Sequence, residues 1–81
     1  MINLALSADG DIKLFEAKQK IIDEFDNLID EFFDWKTTNC YDEQLFVKFL
    51  HEKFGTQSVK FIKSVGPDLP KEYGNILWFN F

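Results

Sequence analysis

The sequence predicts an α+β fold in a single compact domain, residues 1–81: an N-terminal β-hairpin, a long acidic amphipathic helix, two shorter helices, and a C-terminal strand completing a small antiparallel sheet. Three observations carry this expectation. Ile2, Leu4 and Leu6 alternate with Asn3, Ala5 and Ser7 ahead of Asp9-Gly10, the period of a half-buried strand running into a turn. Ile21, Phe25, Leu28, Phe32 and Trp35 recur at steps of four and three, the period of a helix with an apolar stripe. Leu77, Phe79 and Phe81 alternate with Trp78 and Asn80, a terminus too apolar to hang free in water. A mainly α three-helix bundle is the alternative, with the first helix starting at Asp11 as N-cap.

In the hairpin, loop length decides which residues face each other. A three-residue loop of Ala8, Asp9 and Gly10 sets Leu6 opposite Ile12 and Leu4 opposite Leu14, whereas a two-residue loop sets Leu6 opposite Lys13. The first register keeps one face apolar, and it is the one expected. The same stretch, ALSADGDIKLFE from Ala5 to Glu16, resembles the twelve-residue calcium loop of the EF-hand family. Ser7 and Asp9 stand at ligand positions, Gly10 at the turn, Ile12 at the apolar position and Glu16 at the bidentate position. It departs from the family in having Ala5 at the first ligand position and only four residues ahead of the loop, too few for an entering helix. The reading that follows from the residues assigns no metal and no cofactor.

From Glu16 to Lys36, EAKQKIIDEFDNLIDEFFDWK reads as one amphipathic helix. Asp23, Asp26, Asp30 and Asp34 recur at steps of three, four and four, which lines their carboxylates along one side, and Glu24 and Glu31 flank the row. Like charges at this spacing repel by about 0.2–0.5 kcal/mol per pair. No lysine interrupts the run from Ile21 to Trp35. A face that costs stability and lacks compensating cations suggests an external use.

Thr37-Thr38-Asn39 is a polar break in which Asn39 can cap a second helix, from about Cys40 to Phe54, carrying Leu45, Phe46, Phe49 and Leu50 at helical spacing. Gly55 closes it. A third short helix from Thr56 or Ser58 would carry Val59, Phe61, Ile62 and Val65, but Val59, Phe61 and Val65 also fit a strand, and both readings stay open. Pro67 to Pro70 forms a turn, Pro70 opens one helical turn through Tyr73, and Gly74 breaks it.

Composition narrows the function. The net charge of −5 is uneven: residues 1–35 hold nine acids against three lysines, and residues 36–81 five acids against six lysines. Every basic residue is Lys, so the planar fork that reads guanine and grips phosphate is missing, which argues against direct contact with nucleic acid. The single cysteine allows no internal disulfide, and no apolar run nears the roughly 20 residues a membrane helix needs, so a cytoplasmic protein is expected. Catalytic chemistry has little to build on. Cys40 and His51, eleven residues apart, lie about 16 Å from each other on one helix, beyond hydrogen-bond reach, and the four glycines form no phosphate loop.

Two readings remain. The segment from Tyr41 to Val65 resembles a helix-turn-helix, with Gly55 in the turn and Gln57, Ser58, Lys60 and Lys63 on the second helix, which implies a DNA-binding regulator using residues 41–65. The acidic row points instead to a non-catalytic inhibitor of the phage anti-defence or immunity type, a nucleic-acid mimic docking its helix on a basic nucleic-acid-handling protein. Asp23, Asp26, Asp30 and Asp34 would carry the charge, Glu24 and Glu31 would widen the patch, and Trp35 would anchor the partner. Self-association as a homodimer through the terminal strand is a further expectation, since Trp78 points away from Leu77, Phe79 and Phe81.

Overall fold

A computed structural model describes residues 1–81. Strands β1 (Ile2–Ala8) and β2 (Asp11–Ala17) form the hairpin, followed by helices α1 (Gln19–Asp23), α2 (Phe25–Trp35) and α3 (Glu43–Phe54), strand β3 (Val59–Gly66), a 3-10 turn (Lys71–Tyr73) and strand β4 (Leu77–Asn80). The fold is α+β, with one four-stranded sheet in the order β3-β2-β1-β4 and not a helical bundle.

The hairpin turns in two residues, not three. Ala8 pairs with Asp11, Ser7 with Ile12 and Leu6 with Lys13, while Asp9 (φ 57) and Gly10 (φ 91) take the two left-handed positions of a tight turn. The expected register assumed that one sheet face must be wholly apolar. In fact both faces carry apolar residues. Leu4, Leu6, Phe15 and Ala17 face the helices, and Ala5, Ile12 and Leu14 face the other way under Val65, Leu69, Tyr73 and Ile76. Lys13, which this register turns toward the helices, is met by Glu43. The residues that resemble a calcium loop are thus two paired strands, and Ser7, Asp9 and Glu16 are spread along them instead of converging.

The long helix starts later than expected and is broken. Glu16 and Ala17 stay in β2, where Ala17 pairs with both Ile2 and Val59, so two neighbouring strands satisfy a backbone that helix propensity alone would coil. Glu24 (φ −106, ψ 17) separates α1 from α2, and Ile21 before it and Phe25 after it both reach the core. Beyond Trp35, the N-cap of α3 is Asp42 and not Asn39. The Asp42 carboxylate accepts the Leu45 N–H at 3.0 Å. Gly55 (φ 95) ends the helix as expected.

Residues 59–66 are a strand, so the third helix, and with it the helix-turn-helix drawn on residues 41–65, does not form. Val59 and Phe61 share the helix side by simple alternation, and the two bulges that follow, which leave Ile62 and Val65 out of the pairing with β2, turn Val65 beneath the sheet. The chain then crosses the outer face, and Leu77 arrives beside Leu4, so β4 runs parallel to β1 and the sheet is mixed instead of antiparallel. Leu77, Phe79 and Phe81 pack on the helix-side core as the alternation predicted. On the opposite face the Trp78 indole N–H donates to Ser7 Oγ and the Ser7 hydroxyl donates to Asn80 Oδ1, each at 3.0 Å.

The core centres on Phe32. Fully buried, it meets Phe33, Trp35, Tyr41, Phe46, Phe49 and Phe81 at centroid distances of 5.3–6.3 Å. A chain this short leaves little interior, and aromatic rings of about 150–250 Å² each fill it with few residues.

Candidate functional site

The burial of Phe25, Leu28, Ile29 and Phe32 fixes the rotation of α2 about its axis. With that stripe against the sheet and α3, the 3.6-residue period turns Asp26, Asp30, Glu31 and Asp34 to solvent, and all four are exposed. No basic residue lies within α2. Asp26, in the first turn, sits favourably against the positive end of the helix dipole, whereas Glu31 and Asp34 crowd the negative end.

The seven expected residues are not equivalent. Asp26, Asp30 and Asp34 stand on successive turns with no cation within ion-pair distance, a row rising about 12 Å along the axis. Asp23 lies before the break, on α1, and accepts a hydrogen bond from Gln19 Nε2 at 2.8 Å. Glu24 is the break itself, 3.7 Å from Lys20. Glu31 pairs with Lys53 of α3 at 2.8 Å, so part of its charge is already answered within the fold. Trp35 is both core and surface: it stacks on Phe32, lies 5.4 Å from Phe49, and leaves 36% of its surface in solvent.

No family model matches this chain, and no curated protein or solved structure matches it. The site therefore rests on its own geometry.

Around Trp35 the structure adds what spacing could not show. Glu31, Asp34 and Trp35 of α2 and Phe49, Glu52 and Lys53 of α3 line an open depression of about 480 Å³, three carboxylates around two rings. Glu52 belongs to this surface only because α3 packs beside α2, and its own sequence neighbourhood carries no sign of it. Lys36, just past the helix, rests over the Tyr41 ring at 4.7 Å instead of answering the acidic row.

Of the remaining chemistry-bearing groups, His51 is held by the fold and the Cys40 thiol is free. His51 Nε2 donates to the Val59 carbonyl at 2.9 Å, tying α3 to β3, and Cys40 lies exposed ahead of α3. No group of three or more His, Cys, Asp or Glu side chains converges as metal ligands would. No helix is long and apolar enough to cross a membrane.

Proposed function

We propose that this chain is a small non-catalytic binding protein that seats the exposed side of α2 in a basic groove of a partner. It acts as an inhibitor competing with nucleic acid, in the manner of immunity or phage anti-defence proteins. One observation supports the reading above the others: Asp26, Asp30 and Asp34 stand uncompensated on successive turns of a helix whose opposite side is locked into the core. A fixed row of carboxylates about 6 Å apart offers a basic groove anions at a spacing within twofold of the roughly 3.4 Å per charge along one nucleic-acid strand. Because the helix is held by Phe25, Leu28, Ile29 and Phe32, little order has to be imposed on binding. Trp35 at the end of the row supplies the aromatic anchor, and Asp23, Glu24 and Glu31 extend the field.

The test is affinity capture from a bacterial lysate at moderate salt, with the native chain beside an Asp26→Lys, Asp30→Lys, Asp34→Lys variant of unchanged circular dichroism. A basic nucleic-acid enzyme held by the native chain alone, and released by salt or by an added oligonucleotide, is the expected result. Equal capture by both chains would show the row to be an ordinary solvated face.

A further inference from the structure

The strongest feature outside α2 is one of the two edges of the sheet, strand β3. β3 pairs only with β2; Val59 at its start is buried with its carbonyl held by His51, and from Lys60 onward the far side of the strand presents unpaired backbone groups to solvent. Two lysines and two bulges blunt this edge in part, yet it still exposes 58% of Phe61 and 42% of Ile62. Phe61 packs edge-to-face on Phe15 at 5.7 Å, and together they line a groove of about 300 Å³ with Lys13, Gln44 and Val47, between α3 and the β2–β3 side of the sheet.

Charge distinguishes the two faces of this edge. Lys60 is in register with Glu16 and Lys63 with Leu14, so both lysines stand on the outer face, away from the helices. Neither forms an ion pair, and from Gly55 to Gly66 no acid accompanies them in an otherwise acidic chain. A second copy is a poor occupant: antiparallel self-pairing centred on the strand would set Lys60 opposite Val65 and diagonal to Lys63 of the copy, gathering four lysines on one face with no acid of either strand between them.

We propose that the β3 edge takes up a short extended segment of a partner protein, of alternating apolar and acidic residues, as a fifth strand. Alternate side chains of a strand point to opposite faces. The apolar ones enter on the helix side, against Phe61 and the groove beside it, and the acidic ones lie on the outer side against Lys60 and Lys63. Backbone pairing supplies affinity, and the alternation supplies selectivity. This surface is independent of α2, since a segment that fits it carries the same sign of charge as α2 and is repelled there.

The probe is a capped synthetic octapeptide alternating Val or Phe with Glu, added to the labelled protein in NMR titration and amide-exchange experiments. Controls are the same peptide with Lys for Glu, and one with a central Pro. The Glu peptide is expected to slow exchange of the β3 amides that face away from β2, to shift Phe15, Val47 and Phe61 signals, and to bind about tenfold more tightly than the Lys peptide. The Pro peptide fails to protect the edge. In a Lys60→Glu, Lys63→Glu variant, whose fold is checked by circular dichroism, the preference between Glu and Lys peptides reverses. Equal binding of the two peptides, or no change at β3, overturns the proposal. So does protection of β3 that grows with protein concentration in the absence of peptide, which would make a second copy the occupant.

Discussion

Lys13 of β2 and Glu43 in the first turn of α3 form a charge-assisted hydrogen bond across the helix–sheet interface. The lysine keeps about a quarter of its side chain in water, 23%, while the carboxylate retains 4% and its Oε2 has no partner in the fold. Removing either partner therefore has unequal consequences. Lys13→Met strands a buried carboxylate and should destabilise by about 3–5 kcal/mol. Glu43→Leu leaves a lysine that can still reach water and should cost less, about 1–3 kcal/mol. The Lys13→Met, Glu43→Leu double variant should recover much of the larger loss, since an apolar pair has no charge to desolvate. Urea unfolding of all four chains measures the cycle, and additive losses would show the two residues to be uncoupled.

The same pair sets a pH dependence. The hydrogen bond to Glu43 raises the Lys13 pKa above its ordinary value, Asp42 and Asp11 add to the effect, and burial opposes it. A raised pKa means that the folded state holds this proton more tightly than the unfolded chain. The stabilisation is complete below the unfolded lysine value of about 10.4 and is lost as pH rises through the higher folded value. Between pH 8 and pH 11.5 the native chain should lose stability that the apolar double variant does not lose, as read by denaturant midpoints. Parallel decline of the two chains would assign the loss to other groups.

At the hairpin turn, Gly10 has open space around the position of a Cβ but lies at φ 91. Gly10→Ala should destabilise by about 1–2 kcal/mol through backbone strain alone, without a clash. Asp9→Asn, which suits the first left-handed position, should be neutral or slightly stabilising. Thermal melts separate the two. Equal tolerance of both changes would mean that the turn relaxes to the longer loop.

Phe32 and Trp35 lie one turn apart and should respond differently. Phe32→Ala removes the centre of the aromatic core at about 3–5 kcal/mol, a large share of the 5–15 kcal/mol typical of whole domains. Trp35→Ala should cost less in stability and more in partner binding, because about a third of that residue's surface faces solvent beside the acidic row. Near-UV circular dichroism and binding to the captured partner give the comparison.

Two aspartates of the row should have opposite effects on stability. Asp34→Asn relieves both the dipole at the C-terminal end and the repulsion from Asp30, and should stabilise by a few tenths of a kcal/mol, about 0.3–0.8. Asp26→Asn loses a favourable charge in the first turn and should destabilise by about 0.3 kcal/mol or more. Both should weaken partner binding. A stabilised Asp34→Asn chain that binds poorly would separate the interaction from the fold.

Several elements were legible in the residues. The strand before Asp9-Gly10, the cap at Gly55, the turn from Pro70 to Gly74 and the alternation of Leu77, Phe79 and Phe81 each rest on a local rule with one dominant cause. The acidic face of α2 was legible too, because the buried Phe25, Leu28 and Phe32 leave Asp26, Asp30 and Asp34 only one side to occupy. What failed depended on partners far along the chain. The start of the helix at Glu16 was lost to pairing of Ala17 with Ile2 and Val59, and the three-residue loop to a sheet buried on both faces. The N-cap at Asn39 was lost to Asp42, three residues on, whose carboxylate reaches Leu45.

By itself the sequence determined periodicities: where the chain coils or extends, which side of each element is apolar, and that one helix carries acids without lysines. Those follow from bond geometry and from the cost of leaving apolar surface in water, both local in origin. Only the tertiary structure decided that residues 59–66 are a strand, that β4 runs parallel to β1, that Lys13 meets Glu43, and that Glu52 joins Trp35 at the end of the acidic row. The reason is that a backbone hydrogen bond or a buried charge is satisfied by whichever group the fold brings near. That group is set by packing of the whole chain and not by its neighbours in sequence.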